Sequence, residues 1–542
     1  MKKRLAILSA VLAAAFTFTL FAGCARSEPA PAAGPAAVPA PAAEPASEPM
    51  AEWEPDPAAE ACFDFYDDGY APSYDVDGEQ YQTLTETGFS LTAAAPLSTF
   101  SADVDTASYA NVRRLIMGGC DQSQIPAGAV RAEEFVNYFS YDLRQPDAGH
   151  KFGITTYLDA CPWNENHELL MLGLTTEALD REEIPQENIT LLVDVSGSMY
   201  EDLDMVTQAL ETLVDQFRDE DTISLVTYAN GVDLKLDGAT GRDKNKIKHV
   251  LRSLTAGGGT AGGAGIQKAY ATAERHFIPD GNNRVILVTD GDLNIGVSEP
   301  DELEALIREK AKSGVYLSVV GTGYGNYRDD NMERLADCGN GNYSYIDSPR
   351  EANKVFVEEF SSTLVTVAAD VKFQIEFNPN YVNAYRLIGY EDRRLADTDF
   401  KDDTKDAGEL GAGHAVVALY ELIPVGSPDA IDLKYQDTEQ NAYADELATL
   451  KLRYKDAVGE PSKELTAVIP TAKNGGGNPD FRFAALVTEF AMVLSDSPNK
   501  GTATLEDIQA ECDTADWNDP YRAEFAGLVR MLNGAAGTDW ID

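Results

Sequence analysis

Residues 189–199 read ITLLVDVSGSM. Ile189, Leu191, Leu192 and Val193 make a short apolar run rich in β-formers that stops at Asp194. Val195-Ser196-Gly197-Ser198-Met199 then turns towards an acidic helical pattern. This is the pattern of a buried parallel strand, a loop and a helix N-terminus. In an open α/β sheet, ligands bind in loops at the carboxyl ends of the strands, so Asp194, Ser196 and Ser198 would turn their oxygens into one crevice. A carboxylate with small hydroxyls suits a hard divalent cation, and no Cys or His is present in the stretch to favour zinc or copper.

Two later stretches extend the same site. Residues 254–266 read LTAGGGTAGGAGI, where glycines allow close backbone approach and Thr260 offers a further hydroxyl. Residues 284–292 read RVILVTDGD, a second buried strand that ends in Asp290. The glycine run lacks the Gly-Lys-Ser/Thr ending of a phosphate loop. Neither serine sits in a Gly-x-Ser-x-Gly elbow, and none of the five histidines (His150, His167, His249, His276, His414) pairs with them in a catalytic motif.

Together the three segments resemble the metal-ion-dependent adhesion site of the von Willebrand factor type A (VWA) domain, whose pattern is Asp-x-Ser-x-Ser, a distant Thr and a distant Asp. The resemblance assigns metal-ligand positions to Asp194, Ser196, Ser198, Thr260 and Asp290, with Mg2+ (or Mn2+/Ca2+) as cofactor and one coordination position left for a partner's carboxylate. DVSGSMYED also resembles the integrin β-subunit version of the domain, which implies a second cation at Glu201 and Asp202. Acids in the first turn of a helix are equally favoured by the helix dipole.

Strands alternating with helices from about 184 to 367 predict an α/β domain with a doubly wound, mostly parallel, Rossmann-like sheet. Alternating stretches lie on both sides of it: FGITTYLDACPW and HELLMLGLTT before, VKFQIEF, AYRLIGYE, HAVVALYELIPV and ATLKLRYK after. They predict one β-sandwich, from segments 150–183 and 368–472, into which the VWA domain is inserted. Helical segments are expected at 96–149 and 473–542. In the first, DVDTASYANVRR resembles the N-terminal region of a group of bacterial VWA lipoproteins, and the second sandwich segment resembles their C-terminal region. Asp103 and Asp105 could bind metal, but capping a helix that begins near Thr106 is the simpler expectation. Phe481, Phe483, Phe490 and Met492 fall at core spacing in the last segment.

Residues 1–23 open with Lys2, Lys3 and Arg4, continue as an apolar run and end before Cys24. This reads as an export signal, and the small residues before Cys24 resemble a bacterial lipobox, with Cys24 lipidated. The expected location is extracytoplasmic, on the cell envelope through a lipid anchor. Residues 24–95 read as an acidic, Pro/Ala-rich spacer, with aromatics in its second half that could dock on a partner or back on the chain. Five cysteines remain after Cys24, an odd number that cannot all pair within one chain. A net charge of -47 over 542 residues argues against nucleic acid and anionic lipid surfaces as partners. The expected function is non-catalytic capture of an acidic group on a protein partner; the alternative is a scaffold that recruits an envelope enzyme or transport complex.

Overall fold

The computed structural model describes residues 78–534, apart from 83–84, 292–299, 326, 361–364, 406, 432, 434–441, 444, 458 and 516. The expected export signal, Cys24 and most of the expected spacer lie outside the described residues.

The strand that ends at Asp194, β5 (Glu187–Asp194), is buried along its whole length. It pairs in parallel with β6 (Thr222–Tyr228) and β8 (Asn282–Thr289), and β8 with β9 (Val315–Gly321). A three-residue strand, β10 (Tyr343–Tyr345), and an antiparallel β7 (Val232–Thr240) form the two edges of this six-stranded sheet. Because successive side chains leave a strand on opposite faces, Ile189, Leu191 and Val193 pack against α3 (Leu203–Gln216), α4 (Lys244–Leu251) and α8 (Pro349–Asn353) with its π-helical continuation Lys354–Glu358. Leu192 lies on the other face, with α5 (Gly262–Arg275), α6 (Pro300–Lys312) and α7 (Asp329–Cys338). The doubly wound sheet is thus filled from both sides.

The remaining strands build the sandwich. One sheet runs β1 (Ser90–Leu91), β12 (Val382–Ile388), β14 (Ala415–Pro424), β4 (Asn164–Thr176), β3 (Phe152–Cys161). The other contains β13 (Gly408–Gly411), β11 (Thr366–Phe377), β15 (Glu446–Lys455) and β16 (Lys463–Pro470), with β2 (Leu97–Ser101) paired on β11. Alternation in β4 and β14 sorts the two faces of the first sheet. Leu170, Leu172, Tyr420 and Leu422 face the second sheet, whereas Leu169, Met171, Val417 and Leu419 face a helical layer. That layer combines α1 (Ala107–Met117) and α2 (Ala132–Asn137) with α9 (Pro479–Leu494), α10 (Leu505–Thr514) and α11 (Pro520–Leu532). Phe481, Phe483, Phe490 and Met492 are buried in it. Four described cysteines, Cys120, Cys161, Cys338 and Cys512, are buried free thiols.

The structure departs from the sequence reading in several places. The spacer does not extend to residue 95: residues 78–82 and 85–91 run across the fold as a strap and end in β1, paired with β12. The N-terminal region is not purely helical, since β2 belongs to the sandwich. Asp103 and Asp105 do not cap α1; its N-cap is Thr106, without a side-chain hydrogen bond. Asp105 instead accepts from the Tyr343 amide at 2.7 Å, and both aspartates pair with Arg393. Tyr343 and Arg393 lie more than 200 residues away in sequence, so no local pattern points to them.

Phe100 on β2 is fully buried, stacked on Phe373 of β11 with ring centroids 4.8 Å apart. Phe100→Ala is expected to lower unfolding free energy by about 3–5 kcal/mol, through lost burial and the cavity left behind. Urea denaturation followed by intrinsic fluorescence would read this as a lower midpoint.

Candidate metal centre

Asp194 is the last residue of β5 and Asp290 follows the last residue of β8; because these strands are parallel neighbours, the two acids reach the same end of the sheet. Both are buried, at 0% and 1% exposure. One Asp194 oxygen accepts from the Ser196 amide at 2.8 Å and the other from the Thr289 hydroxyl at 3.1 Å. The first bond folds the chain back so that Ser196 Oγ and Ser198 Oγ lie 3.1 Å apart. Thr289 escaped the sequence reading, although its place beside Asp290 at a strand end was the available signal.

Glycine brings the third segment in. The Gly197 amide donates to Gly258 O at 3.1 Å and the Gly257 amide to Val195 O at 2.9 Å. Gly258 has φ of +95°, and a Cβ there would lie 2.5 Å from the Asn230 side-chain amide, so a side chain fails on both counts. Asn230 also accepts from the Gly259 amide at 2.7 Å. Thr260 lies half-buried at the end of this pinned loop. The five predicted metal positions therefore come from three loops that meet at one sheet end.

Burial pushes the Asp194 carboxyl up to about 6; Ser196 hydrogen bonds oppose the shift and the charge of Asp290 adds to it. Asp202 is likewise raised to about 6 by burial, then by Asp290 and Glu201, while Arg114 pulls it back. Of the two acids expected to hold a second cation, Glu201 is exposed and Asp202 half-buried. Asp202 lies against Gly323, where an added Cβ would meet Asp202 Oδ2 at 3.3 Å and Asp290 Cβ at 3.2 Å. Among the described residues no three His, Cys, Asp or Glu side chains gather around a common metal position. The predicted positions instead offer two carboxylates and three hydroxyls, a chemistry that would suit hard, oxygen-seeking cations such as Mg2+.

The wall beside Asp290 is formed by Gly323–Gly325 and Tyr327–Arg328, held both from β10 and by residues outside the α/β domain. Tyr345 Oη donates to Gly323 O at 2.5 Å. Glu79 on the strap accepts from the Gly325 amide at 2.8 Å, Gln80 N donates to Tyr327 O at 2.9 Å, and Asp329 N donates to Gln80 O at 3.1 Å. Glu79 also takes a bidentate pair from Arg114 of α1 at 3.0 and 2.9 Å. Arg114 lies over the Tyr327 and Tyr345 rings, 5.9 and 5.6 Å from their centroids.

Comparison with known proteins finds matches over three stretches of the chain. Residues 188–359 match the von Willebrand factor type A domain, residues 75–171 match the von Willebrand factor description, and residues 362–534 match the C-terminal region of the uncharacterized protein YfbK. YfbK of Escherichia coli (strain K12) is 40% identical over 470 residues, covering 84% of this chain and 81% of that protein. The chain belongs to the YfbK family of VWA-domain proteins.

Other relatives match more narrowly. Inter-alpha-trypsin inhibitor heavy chain H3 of Mesocricetus auratus is 27% identical over 313 residues, covering 52% of this chain and 34% of the relative. Among solved structures, a von Willebrand factor type A protein from Catenulispora acidiphila is 18% identical with a TM-score of 0.42, covering 74% of this chain and 92% of that one. The ArnB paralog VWA2 from Sulfolobus acidocaldarius is 15% identical with a TM-score of 0.33, covering 71% and 99%. VWA domains typically mediate protein–protein interaction, and proteins that carry them are generally non-enzymatic. In this YfbK-family chain, the strap and α1 that hold the loop beside Asp290 fall within the 75–171 match, outside the VWA match.

Glu79→Ala is expected to cost about 3 kcal/mol or more, because it strands the buried Arg114 guanidinium. Glu79→Gln, which keeps an acceptor for the Gly325 amide, should retain part of that stability. Hydrogen exchange would report the local effect as faster exchange at the Gly325, Gln80 and Asp329 amides in the alanine variant, with the amides of β5 unchanged.

Proposed function

We propose that this YfbK-family protein binds a divalent cation, Mg2+ or else Mn2+ or Ca2+, at Asp194, Ser196, Ser198, Thr260 and Asp290, and uses it to capture an acidic group of a protein partner without catalysis. The observation that carries this reading is the pair of buried carboxylates, Asp194 and Asp290, at one sheet end, where the loops that carry Ser196, Ser198 and Thr260 meet. The hydrogen-bond partners found for Asp194 are neutral donors, and burial of its charge is costly unless a cation balances it. Asp194 would supply the anionic anchor, and the stiff Asp194–Ser196 turn would hold the serine hydroxyls towards it. A cation held largely by hydroxyls keeps enough Lewis acidity to accept a further carboxylate from outside.

The proposed setting is the outer face of a bacterial cell envelope, with Cys24 lipidated. It rests on the sequence of residues 1–24 alone. The long acidic, Pro/Ala-rich stretch after Cys24 would carry the folded part away from the membrane.

Magnesium titration by calorimetry is expected to yield heat of binding for the wild type and none for a Ser196→Ala/Ser198→Ala double variant that keeps its native melting profile. A folded wild type that binds no cation, even with excess acetate to supply the outer carboxylate, would sink the proposal. The pKa shifts give the pH dependence. Burial raises Asp194 and Asp202 in the fold to about 6, above the ordinary aspartate value of 3.8, so the metal-free fold holds protons that the unfolded chain has lost. Metal-free stability therefore falls as pH rises from about 4 to about 6. Ligation needs Asp194 ionised, so the stabilisation by Mg2+ should grow over the same window. The Mg2+-dependent rise in Tm is expected to be much smaller at pH 5 than at pH 7.5, and to vanish at both pH values in Asp194→Ala.

A further inference from the structure

Few large apolar side chains are exposed among the described residues, and two of them flank the candidate metal centre. Tyr200 follows Ser198 by two residues and is 79% exposed, the highest value in that group; Tyr324 follows Gly323 and is 44% exposed. Phe277, by contrast, lies just before β8 at the opposite end of the sheet, and Val425 and Ile431 follow β14 in the sandwich. The Tyr200 hydroxyl makes no hydrogen bond to another described residue. The two loops that carry these rings are anchored. Met199, beside Tyr200, is fully buried, and Gly323 and Gly325, on either side of Tyr324, are held by Tyr345 and Glu79. Rings standing out of water-facing but fixed loops lose little entropy on contact, which makes tyrosine an effective recognition residue.

The charges around the rings narrow the occupant. Glu201 and Asp204 are exposed beside Tyr200, and Asp202 lies half-buried behind them. An isolated carboxylate approaching this rim would be repelled by it. A carboxylate with a basic residue close by in the partner's sequence would not, since the basic group could lie over the Tyr200 ring and pair with Glu201.

We propose that Tyr200 and Tyr324 form an aromatic rim that selects a partner protein segment carrying an Asp or Glu beside a Lys or Arg. The acid completes the cation shell, and the basic residue and its neighbours rest on the two rings. This rests on the metal-dependent capture proposed above, and the test keeps the two separate.

Random peptides displayed on phage would be selected on the purified full chain in Mg2+ and eluted with EDTA. The expected result is that recovered peptides carry an acid with an adjacent or near-adjacent Lys or Arg. A Tyr200→Ala/Tyr324→Ala double variant should bind them about tenfold more weakly or worse. That variant's own Mg2+-dependent Tm shift should equal the wild type's, and Tyr200→Phe/Tyr324→Phe should restore most of the peptide binding. Selected peptides that bind the alanine variant within about twofold of wild type, or that tolerate loss of their basic residue, overturn the rim. Recovery of no EDTA-sensitive peptide, or equal binding to Ser196→Ala/Ser198→Ala, overturns metal-dependent capture and the rim with it.

Discussion

Two consecutive arginines on one short helix hold this molecule together. Neighbours on a helix point about 100° apart, so Arg113 and Arg114 reach different groups from the same turn of α1. Arg113 meets Asp347 at 2.5 Å and Glu351 at 2.8 Å in the α/β domain, and Glu524 of the C-terminal helix α11 at 3.0 Å. Arg114 meets Glu79 of the strap and the two tyrosine rings. Both guanidiniums are nearly excluded from solvent, and an unpaired charge there would cost several kcal/mol. All their partners are in reach only when the α/β domain, the helical layer and the strap sit in one arrangement. A third buried arginine, Arg131, repeats the device between Glu134 of α2 and Asp329 and Glu333 of α7.

This matters because the α/β domain enters and leaves the sandwich through single chain crossings, after β4 and before β11. Such a junction would ordinarily permit relative motion. Here the charged contacts close next to the sheet end that carries Asp194 and Asp290. The wall loop beside Asp290 takes its shape partly from residues nearly 250 positions earlier in the chain. Parts outside the VWA domain therefore contribute to the geometry of the candidate site.

The portions legible in the sequence were those governed by local pattern. β5 and β8 are apolar runs that each end at an acid, and the glycine run before α5 marks a close backbone approach, so the elements around the candidate site could be located before the fold was known. Six of the sandwich strands, β3, β4, β11, β12, β14 and β15, were legible by alternation, whereas β1, β2, β13 and β16 were not. What escaped depends on long-range pairing or on brevity. β10 is three residues long, and β7 (VDLKLDGAT) carries too many polar side chains to stand out as a strand. The strap resembles spacer in composition, because a few scattered groups, Glu79, Tyr81, Glu86 and some backbone amides, hold it in place. Asp103 and Asp105 sit where helix caps belong, and only the fold reveals that Arg393 and Tyr343 claim them instead.

The Asp105 contact has a further meaning for how the molecule meets its own copies. β10 is the outermost strand on its side of the α/β sheet, and an outer strand offers unpaired backbone donors to any chain that arrives in extended form. The Asp105 carboxylate occupies one of those donors, the Tyr343 amide, from outside. In the intact protein α1 and the strap pack close to this edge, so strand-to-strand addition is blocked by side chain and helix together. Removing everything before the α/β domain would uncover a template for self-association, which makes the preceding segment a guard for solubility.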